Sequence, residues 1–589
     1  MNYKEAAKNF LENEKQFHLG VIPTEQPNPR TKNLSATIMK DTVAGVKMIL
    51  SADLDIPAAT LKAFKTDEFK RFVKDVKVAM DNKKQVVLSS VGASGRMAIT
   101  IDAAWRYFWQ SLVQKLPAKR KLFLEMGDVV SSFTTGGDRA LVHSVENFED
   151  YMTFGAQQVV DANIGKGDVL VGLAECGLSA SINGSVIKAD ELGCTTYYFF
   201  YNPKDVLVEH LERVRKVFAR ENIIKINLFA GNMAVSGSTR MQAATIQLLT
   251  VGAGLEVAAM NWLKENLSKE ELEVIGQGAL DLEQYTVEYQ RLLDEMSKDE
   301  VAKGLAQAIE YEQETYEKNG LITYITHDYL LDIMTDTTER QPTFTLPPFK
   351  KFADKNGLVS WAYAKDPLYP NEVAWQHVFR RPIKGLDWTK EDYIRMGASE
   401  AIINNPPKVA SSEVEQYNIG YEDDPSRYSR KPANLVVLDI NGSATPEVMK
   451  WFKENLHKYS GGVVIRMGDI PAGKLYENEI RIPVKLPRTV TDLMTHLFVK
   501  VAFNLLSTGT MAKMGRVWSN WMIQVLPTNK KLIDRSVRII ATIANIPYEQ
   551  ACEEFFKSYY SREKGQEYRE SYVVETLKRL GFDPNDDVK

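Results

Sequence analysis

Along the first half of the chain, short apolar runs alternate with longer amphipathic stretches. Gln85-Val-Val-Leu-Ser-Ser enters a glycine loop and then a helical pattern from Met97 to about Val113. Lys121-Leu-Phe-Leu-Glu reads as a second strand and Asp168-Val-Leu-Val-Gly-Leu-Ala as a third. Thr195-Thr-Tyr-Tyr-Phe-Phe-Tyr and Lys225-Ile-Asn-Leu-Phe read as the fourth and fifth. Strands alternating with helices at this rhythm predict an α/β fold with a parallel, doubly wound sheet. Such a sheet binds ligands outside the carboxyl ends of its strands. Residues 241–318 read as packing helices and a connector. A weaker α/β pattern follows, with runs at Leu321-Ile-Thr-Tyr-Ile, Leu358-Val-Ser-Trp-Ala, Asn434-Leu-Val-Val-Leu-Asp-Ile, Gly462-Val-Val-Ile-Arg and Ile480-Arg-Ile-Pro-Val. Residues 404–432 read as a surface excursion, and 533–589 are helical again. The start is a helix followed by Pro23-Thr-Glu-Gln-Pro-Asn-Pro-Arg-Thr. Each X-Pro step there disfavours helix, so an extended arm laid over a neighbouring surface is expected. Thr245–Gly254 and Phe503–Thr510 echo one another as small-residue helices closing each half, the mark of a duplicated domain.

Composition narrows the function classes. With 589 residues the chain exceeds what one hydrophobic core supports. A net charge of −4 without long like-charged blocks gives no electrostatic reason for nucleic acid or an anionic membrane as partner. No uninterrupted apolar run reaches a bilayer's thickness, the N-terminus lacks a signal peptide's apolar core, and Cys176, Cys194 and Cys552 are too scattered for a disulfide framework. A cytoplasmic protein is expected. His18, His143, His210, His327, His377, His457 and His496 read as solitary, so no metal site is expected, and no cofactor motif appears.

Three loops carry candidate chemistry. Ser90-Val-Gly-Ala-Ser-Gly-Arg-Met, after a strand and before a helix, offers backbone N–H groups at Gly92 and Ala93 and the Ser94 hydroxyl to an anion. It lacks the lysine of a nucleotide P-loop. Glu175-Cys-Gly-Leu-Ser-Ala-Ser repeats the geometry with Gly177 and Ser179, although the Glu175 carboxylate should repel a phosphate unless it faces sugar hydroxyls. Ala234-Val-Ser-Gly-Ser-Thr-Arg-Met places Ser238, Thr239 and Arg240 at a helix start, where a guanidinium suits phosphate or carboxylate. Singly, each loop is equally a turn or a helix cap; three on one sheet edge favour an anion site. Glu146, Glu149 and Asp150 lie about one helical turn apart, either as a solvated acidic turn or as carboxylates that bind sugar hydroxyls or do acid/base work.

The ordered series Gly-Ala-Ser-Gly-Arg-Met-Ala (92–98), Gly-Gly-Asp-Arg (136–139), Val-Glu-Asn-Phe-Glu-Asp (145–150), Cys-Gly-Leu-Ser-Ala (176–180), Asn-Pro (202–203) and Ser-Gly-Ser-Thr-Arg-Met (236–241) resembles the sugar-isomerase (SIS) family. So do Leu-Leu-Ser-Thr-Gly-Thr-Met (505–511), Gly-Arg-Val-Trp-Ser-Asn (515–520) and Thr-Asn-Lys-Lys-Leu (528–532). Within it the pattern is similar to the N-acetylmuramic acid 6-phosphate etherases and closer to glucokinase regulatory proteins, which carry two SIS domains. Thr24-Glu-Gln-Pro-Asn-Pro resembles the etherases' N-terminal arm. The resemblance implies two SIS-type, flavodoxin-like parallel-sheet domains with an N-terminal arm and a C-terminal helical segment. The expected division is a helix and arm over 1–40, SIS domain 1 over 41–265, a helical connector over 266–318, a divergent SIS domain 2 over 319–532 and a helical lid over 533–589.

Carried over residue by residue, the resemblance implies that Gly92, Ser94, Gly177, Thr239 and Arg240 surround a sugar phosphate. It implies that Glu149 is an acid/base or holds sugar hydroxyls, that Asn529 and Lys531 complete the site from the second half, and that Asp336, or alternatively Glu339, faces it. The departures bear on activity. Etherases carry a second catalytic glutamate after Asp-Ala-Ser, whereas this chain reads Asp102-Ala-Ala-Trp, and the family's lysine after Ser-Arg-Met is Gln242. Losing one catalytic proton transfer typically costs about 10²–10⁴-fold. Besides an interaction scaffold with a vestigial site, two readings result. One is a phosphosugar-responsive regulator, for which the resemblance allows a sugar kinase as partner. The other is a lyase or isomerase with Glu149 as base and Asp102, Glu146 or Glu175 as acid, where His143 or Lys531 assists.

Overall fold

The computed structural model describes residues 2–145, 148–276, 280–562 and 570–584. Strands β1 (Val86–Ser90), β2 (Val130–Thr134), β3 (Val169–Ala174), β4 (Thr195–Phe200) and β5 (Ile224–Asn227) form a parallel sheet in the order β2-β1-β3-β4-β5. A second parallel sheet joins β6 (Leu321–Ile325), β7 (Ala362–Lys365), β8 (Ala433–Ile440), β9 (Gly461–Gly468) and β10 (Glu479–Pro483) in the order β10-β9-β8-β6-β7. Counted within its own lobe, each sheet runs 2-1-3-4-5, the flavodoxin-like order. The chain is therefore an α/β protein with two doubly wound lobes of one topology. Strands β1, β3 and β6 are buried along their whole length, which is why they read as continuous apolar runs rather than as alternations.

Four expectations need correction. Lys121–Glu125 is not a strand but part of the Arg120–Gly127 helix; Phe123 and Met126 share its buried face, and Phe123 packs its ring on Trp109. The strand is Val130–Thr134, whose alternating burial marks a sheet edge. In the second lobe the strand expected at Leu358 begins at Ala362, because Arg427 binds the Ser360 carbonyl at 2.7 Å and keeps that stretch out of the ladder. The arm is not extended. It makes short 3₁₀ turns at Pro23–Glu25 and Pro29–Thr31. The Gln242–Asn266 helix has a mean hydropathy of 1.4 over its most apolar window, enough to cross a bilayer by length and composition, but 94% of that window is buried within the protein. It packs on the Leu493–Lys513 helix, and a Cβ at Gly252 would meet Leu493 at 2.7 Å.

Buried ion pairs sew the two lobes together. Arg240 of the first lobe donates to Asp336 at 2.7 Å and to Ser507 and Thr508 at 3.1 and 2.9 Å. Asp336 also accepts from Arg340 at 2.8 Å, and Arg340 reaches Glu312 at 2.7 Å. Arg96 pairs with Glu339 at 2.5 Å. Arg381 spans Asp102 at 3.0 Å and Asp138 at 2.6 Å.

A second clasp is the arm. Thr24 and Asn202 exchange hydrogen bonds at 3.1 Å each. Glu25 receives Arg535 at 2.5 Å and Arg538 at 2.8 Å from the Lys530–Ala544 helix. That helix leads into Tyr548–Ser561, which packs on the N-terminal Tyr3–Asn13 helix. Arg535 runs so close to Gly237, which has φ +77°, that a Cβ there would meet the guanidinium at 2.5 Å.

Asp336→Asn leaves Arg240 and Arg340 short of a counter-charge inside the protein. It is expected to cost about 3–5 kcal/mol, read as a lowered midpoint in urea unfolding with the slope unchanged. Burial pushes the Glu25 carboxyl up, but Arg535 and Arg538 overcome that and hold it at about 2, against an ordinary 4.5. Its contribution is complete above about pH 4.5 and is lost as pH falls toward 2, about 3 kcal/mol in all. Stability measured against pH in Glu25→Gln should lack that acid limb.

Candidate functional site

The cleft between the lobes, of about 180 Å³, opens at the carboxyl ends of β1 and β3, where the strand order of the first sheet reverses. Residues at the starts of four helices line it. Gly92 and Ala93 open the Gly92–Lys115 helix, Ser179 caps Ala180–Glu191, Ser238-Thr239-Arg240 leads into Gln242–Asn266, and Asn529 caps Lys530–Ala544. The first N–H groups of a helix have no partner within it and carry the positive end of its dipole, so helix starts converging on one cleft favour an anion. Gly92 has φ +58° and open space where a side chain would be, so the backbone itself faces the cleft. The glycine loop expected to precede a helix at Met97 is that helix's first turn.

Lys531 supplies the full positive charge. Its Nζ lies 3.8 Å from Glu149 Oε1, and that carboxylate pushes the lysine up, so the ammonium stays charged at neutral pH. Ser179 Oγ lies 3.5 Å from the other Glu149 oxygen. Burial pushes Glu175 up to about 7, with the Thr239 hydroxyl drawing it down, the Glu339 charge adding to the rise and Lys531 opposing it. One Glu175 oxygen is buried without a hydrogen-bond partner. The repulsion expected between this carboxylate and a phosphate is therefore lifted in the protonated form. Burial holds the neighbouring Cys176 thiol at about 12, which removes it as a nucleophile.

The cleft brings together Gly92, Ala93, Glu149, Glu175, Ser179, Ser238, Thr239, Arg240, Asn529 and Lys531. Three other candidates stand behind it. Ser94 turns its hydroxyl to Gln247 at 2.6 Å. Gly177, at φ +73°, shapes the turn and packs on Leu207. Asp336 is consumed by Arg240 and Arg340, and Glu339, the alternative, lines the cleft instead. Arg240 gives both terminal nitrogens to Asp336, Ser507 and Thr508, so a ligand meets a guanidinium already held. Glu146 lies outside the described residues. Sequence reasoning missed Glu25 and Arg535, which also line the cleft; the signal was the Thr24-Glu-Gln-Pro-Asn-Pro motif itself.

The second etherase glutamate has no replacement at its own position. Asp102 is buried against Arg106 at 2.7 Å, Arg381 at 3.0 Å, and the Ser132 amide and hydroxyl at 3.0 Å each. Burial alone would raise its carboxyl, but Arg381 and Arg106 hold it below the usual carboxylate range, so it cannot serve as an acid. Trp105 is core, its indole donating to the Met126 carbonyl at 2.9 Å. His143 is not among the cleft residues and turns one ring nitrogen to the Ser144 carbonyl. Contrary to the expectation that every histidine is solitary, the loop after β6 and the helix after β7 stack His327 on His377, with ring centroids 4.2 Å apart.

Comparison with known proteins finds likeness over the first lobe. Residues 68–189 match the family model described as the glucokinase regulatory protein N-terminal SIS domain. An N-acetylmuramic acid 6-phosphate etherase of Actinobacillus pleuropneumoniae serotype 7 (strain AP76) is 28% identical over 233 residues, 40% of this chain and 67% of the relative. One from Clostridioides difficile (strain 630) is 26% identical over 222 residues, 37% of this chain and 63% of the relative. The C-terminal domain of glucosamine-fructose-6-phosphate aminotransferase from Francisella tularensis overlaps with a TM-score of 0.42 at 10% identity, covering 80% of this chain and 96% of that one, a likeness too low to carry an argument. On this match, residues 68–189 of the first lobe are similar to an SIS domain.

Proposed function

We propose that the cleft binds a phosphorylated hexose or amino sugar and that the chain acts as a phosphosugar-responsive regulator. The observation that carries this reading is the joint ownership of the cleft. The first lobe supplies helix starts at Gly92, Ser179 and Ser238, while Asn529 and Lys531 arrive from the far end of the chain. A phosphate held by both parts favours whichever arrangement of the two brings them together, and shifts that equilibrium by its differential affinity. Glu149, beside Lys531, takes the sugar hydroxyls. The N-terminal SIS match to the glucokinase regulatory protein makes a sugar kinase the class of partner to test first.

A second reading has its own support. Glu149 and Glu175 line one cleft in different surroundings, Glu149 paired with Lys531 and Glu175 pushed up to about 7. Two carboxyls in unlike surroundings, one of them raised by burial, are the raw material of an acid/base pair. On this reading Glu175 takes over the proton transfer that Asp102 cannot perform, and the chain is a phosphosugar lyase or isomerase.

Both readings meet in one experiment. Thermal shift is recorded against fructose 6-phosphate, fructose 1-phosphate, glucosamine 6-phosphate and N-acetylmuramic acid 6-phosphate, followed by mass analysis of recovered ligand. At 100 times its dissociation constant a ligand adds about 2.7 kcal/mol. A shift that Lys531→Met abolishes, with ligand recovered unchanged, is expected. Conversion that stops in Glu149→Gln would replace the regulator by the enzyme, and no shift at millimolar ligand would sink both. Glu175 gives a ligand-free check. Its folded value lies above the ordinary 4.5, so its contribution is fully present below about pH 4.5 and is lost as pH rises through 7. Glu175→Gln should therefore melt higher than the parent at about pH 8, with the gap closing toward about pH 5.

A further inference from the structure

The second sheet has its own crevice, and its chemistry is inverted. A cavity of about 100 Å³ lies at the carboxyl end of β6, walled by Thr100, Ala104 and Tyr107 of the first lobe's Gly92–Lys115 helix. It occupies the place that the cleft occupies relative to β1. Where the first lobe presents Gly92 and Ala93 after its leading strand, the second presents His327 and Asp328. Where the first leads into its long helix with Ser238 and Thr239, the second has Thr491 and Asp492. Aspartates now face a space that glycine and hydroxyls face in the other lobe: Asp328, Asp332 and Asp492 all line it. Arg380 and His496 line the same space, so three carboxylates are set against two basic side chains.

We propose that His327, His377 and Asp328 form a site for one divalent transition-metal ion of the zinc class. One ligand atom from each lies within 4.8 Å of the other two. Imidazole nitrogen and carboxylate oxygen bind zinc at about 2.0–2.2 Å, so an ion would draw these three ligand atoms together. His327 is already oriented for the task. Its Nδ1 meets Asp366 Oδ2 at 2.9 Å, which fixes that nitrogen as the donor and leaves Nε2 as the metal-facing lone pair. Asp366 is itself fully buried and locked by the Leu368 and Tyr369 amides at 2.7 and 3.2 Å. The Tyr369 ring meets both imidazoles, at 4.7 and 5.2 Å, and limits their motion. Asp328 is exposed at the mouth and brings the negative charge. Three protein ligands leave the fourth position to water, facing the cavity.

Other charged groups facing the set are accounted for. Arg380 lays its guanidinium 3.1 Å from each ring nitrogen of His377 and over the Tyr107 ring at 4.5 Å. A metal ion takes over the place this cation holds beside His377, and Tyr107 retains the arginine. His496 is held by Asp332 at 2.8 Å, and Asp492 receives the Tyr329 hydroxyl at 2.8 Å, so neither competes for the ion.

The experiment uses the full chain, free of any affinity tag and stripped with a chelator. Cobalt(II) is titrated by its visible spectrum and zinc by calorimetry. One equivalent of each is expected, with absorption of a four-coordinate nitrogen–oxygen site. Asp366→Asn should weaken zinc by about 10–100-fold, and His377→Gln and Asp328→Asn by more. Asp328 is exposed, so its variant tests the site without disturbing the core; circular dichroism checks the others. Arg380→Gln should tighten binding by removing the competing cation, while Lys531→Met in the other cleft should leave it unchanged. Absence of uptake at micromolar metal, or uptake that survives the His327→Gln, His377→Gln double variant, would overturn the site.

Discussion

Arg240 and Asp336 meet where the two lobes join, and both are almost wholly buried. Taking two such charges out of solvent costs several kcal/mol per ion, which their attraction offsets only when every donor and lone pair is used. Here both carboxylate oxygens of Asp336 are used, while Arg240 Nε and Arg340 Nη2 are buried without a partner. Asp336 accepts Arg240 and Ser507 on one oxygen and Arg340 on the other, and Arg340 passes the chain of charge to Glu312. An interface of this kind adds little net stability, but it tolerates almost no slip, because a displaced lobe would strand a buried charge. Gly92 and Lys531 line one cleft beside this junction. Arg240 is bound to protein there before any ligand arrives.

The same economy explains how much of the molecule could be read from its residues. Central strands announced themselves because both faces are buried, and the duplicated helices at 245–254 and 503–510 were visible as small-residue runs. Lys121–Glu125 misled because five apolar-rich residues fit either period; only the partner surface on Trp109 selects helix. The site was partly legible for a similar reason. Helix starts with glycine and serine declare backbone donors, and Gly92, Ser179 and Thr239 line one cleft. What the sequence could not reveal is which motif residues face the cleft and which face the seam. Asp138 of Gly-Gly-Asp-Arg binds Arg381, Asn520 of Gly-Arg-Val-Trp-Ser-Asn holds the arm at Asn28 and Thr31, and Ser507 and Thr508 hold Arg240. Motif membership marks importance to the assembly as readily as contact with a substrate.

Electrostatics separates the carboxyls in the same way. Asp102, the residue beside the missing etherase glutamate, is neutralised by two arginines and withdrawn from chemistry. Glu175, which looked like an obstacle to phosphate, is the one made adaptable by burial. Glu25 lies at the cleft wall but is committed to Arg535 and Arg538. Position along the chain predicted none of these differences; each follows from how many cations reach the carboxyl and how much water is excluded.

The two sheets share one strand order but sit in a single polypeptide, and that covalent fact changes what mutation can do. In a symmetric pair of identical subunits, any change at one crevice appears at the other, so neither can abandon its chemistry alone. Joining the copies end to end frees each crevice to drift separately, which is how Gly92-Ala93 and His327-Asp328 come to occupy corresponding turns of the same protein. The tether also keeps the halves together at an effective concentration of roughly millimolar however dilute the chain becomes. Asymmetry between the crevices is thus heritable here, and it survives dilution.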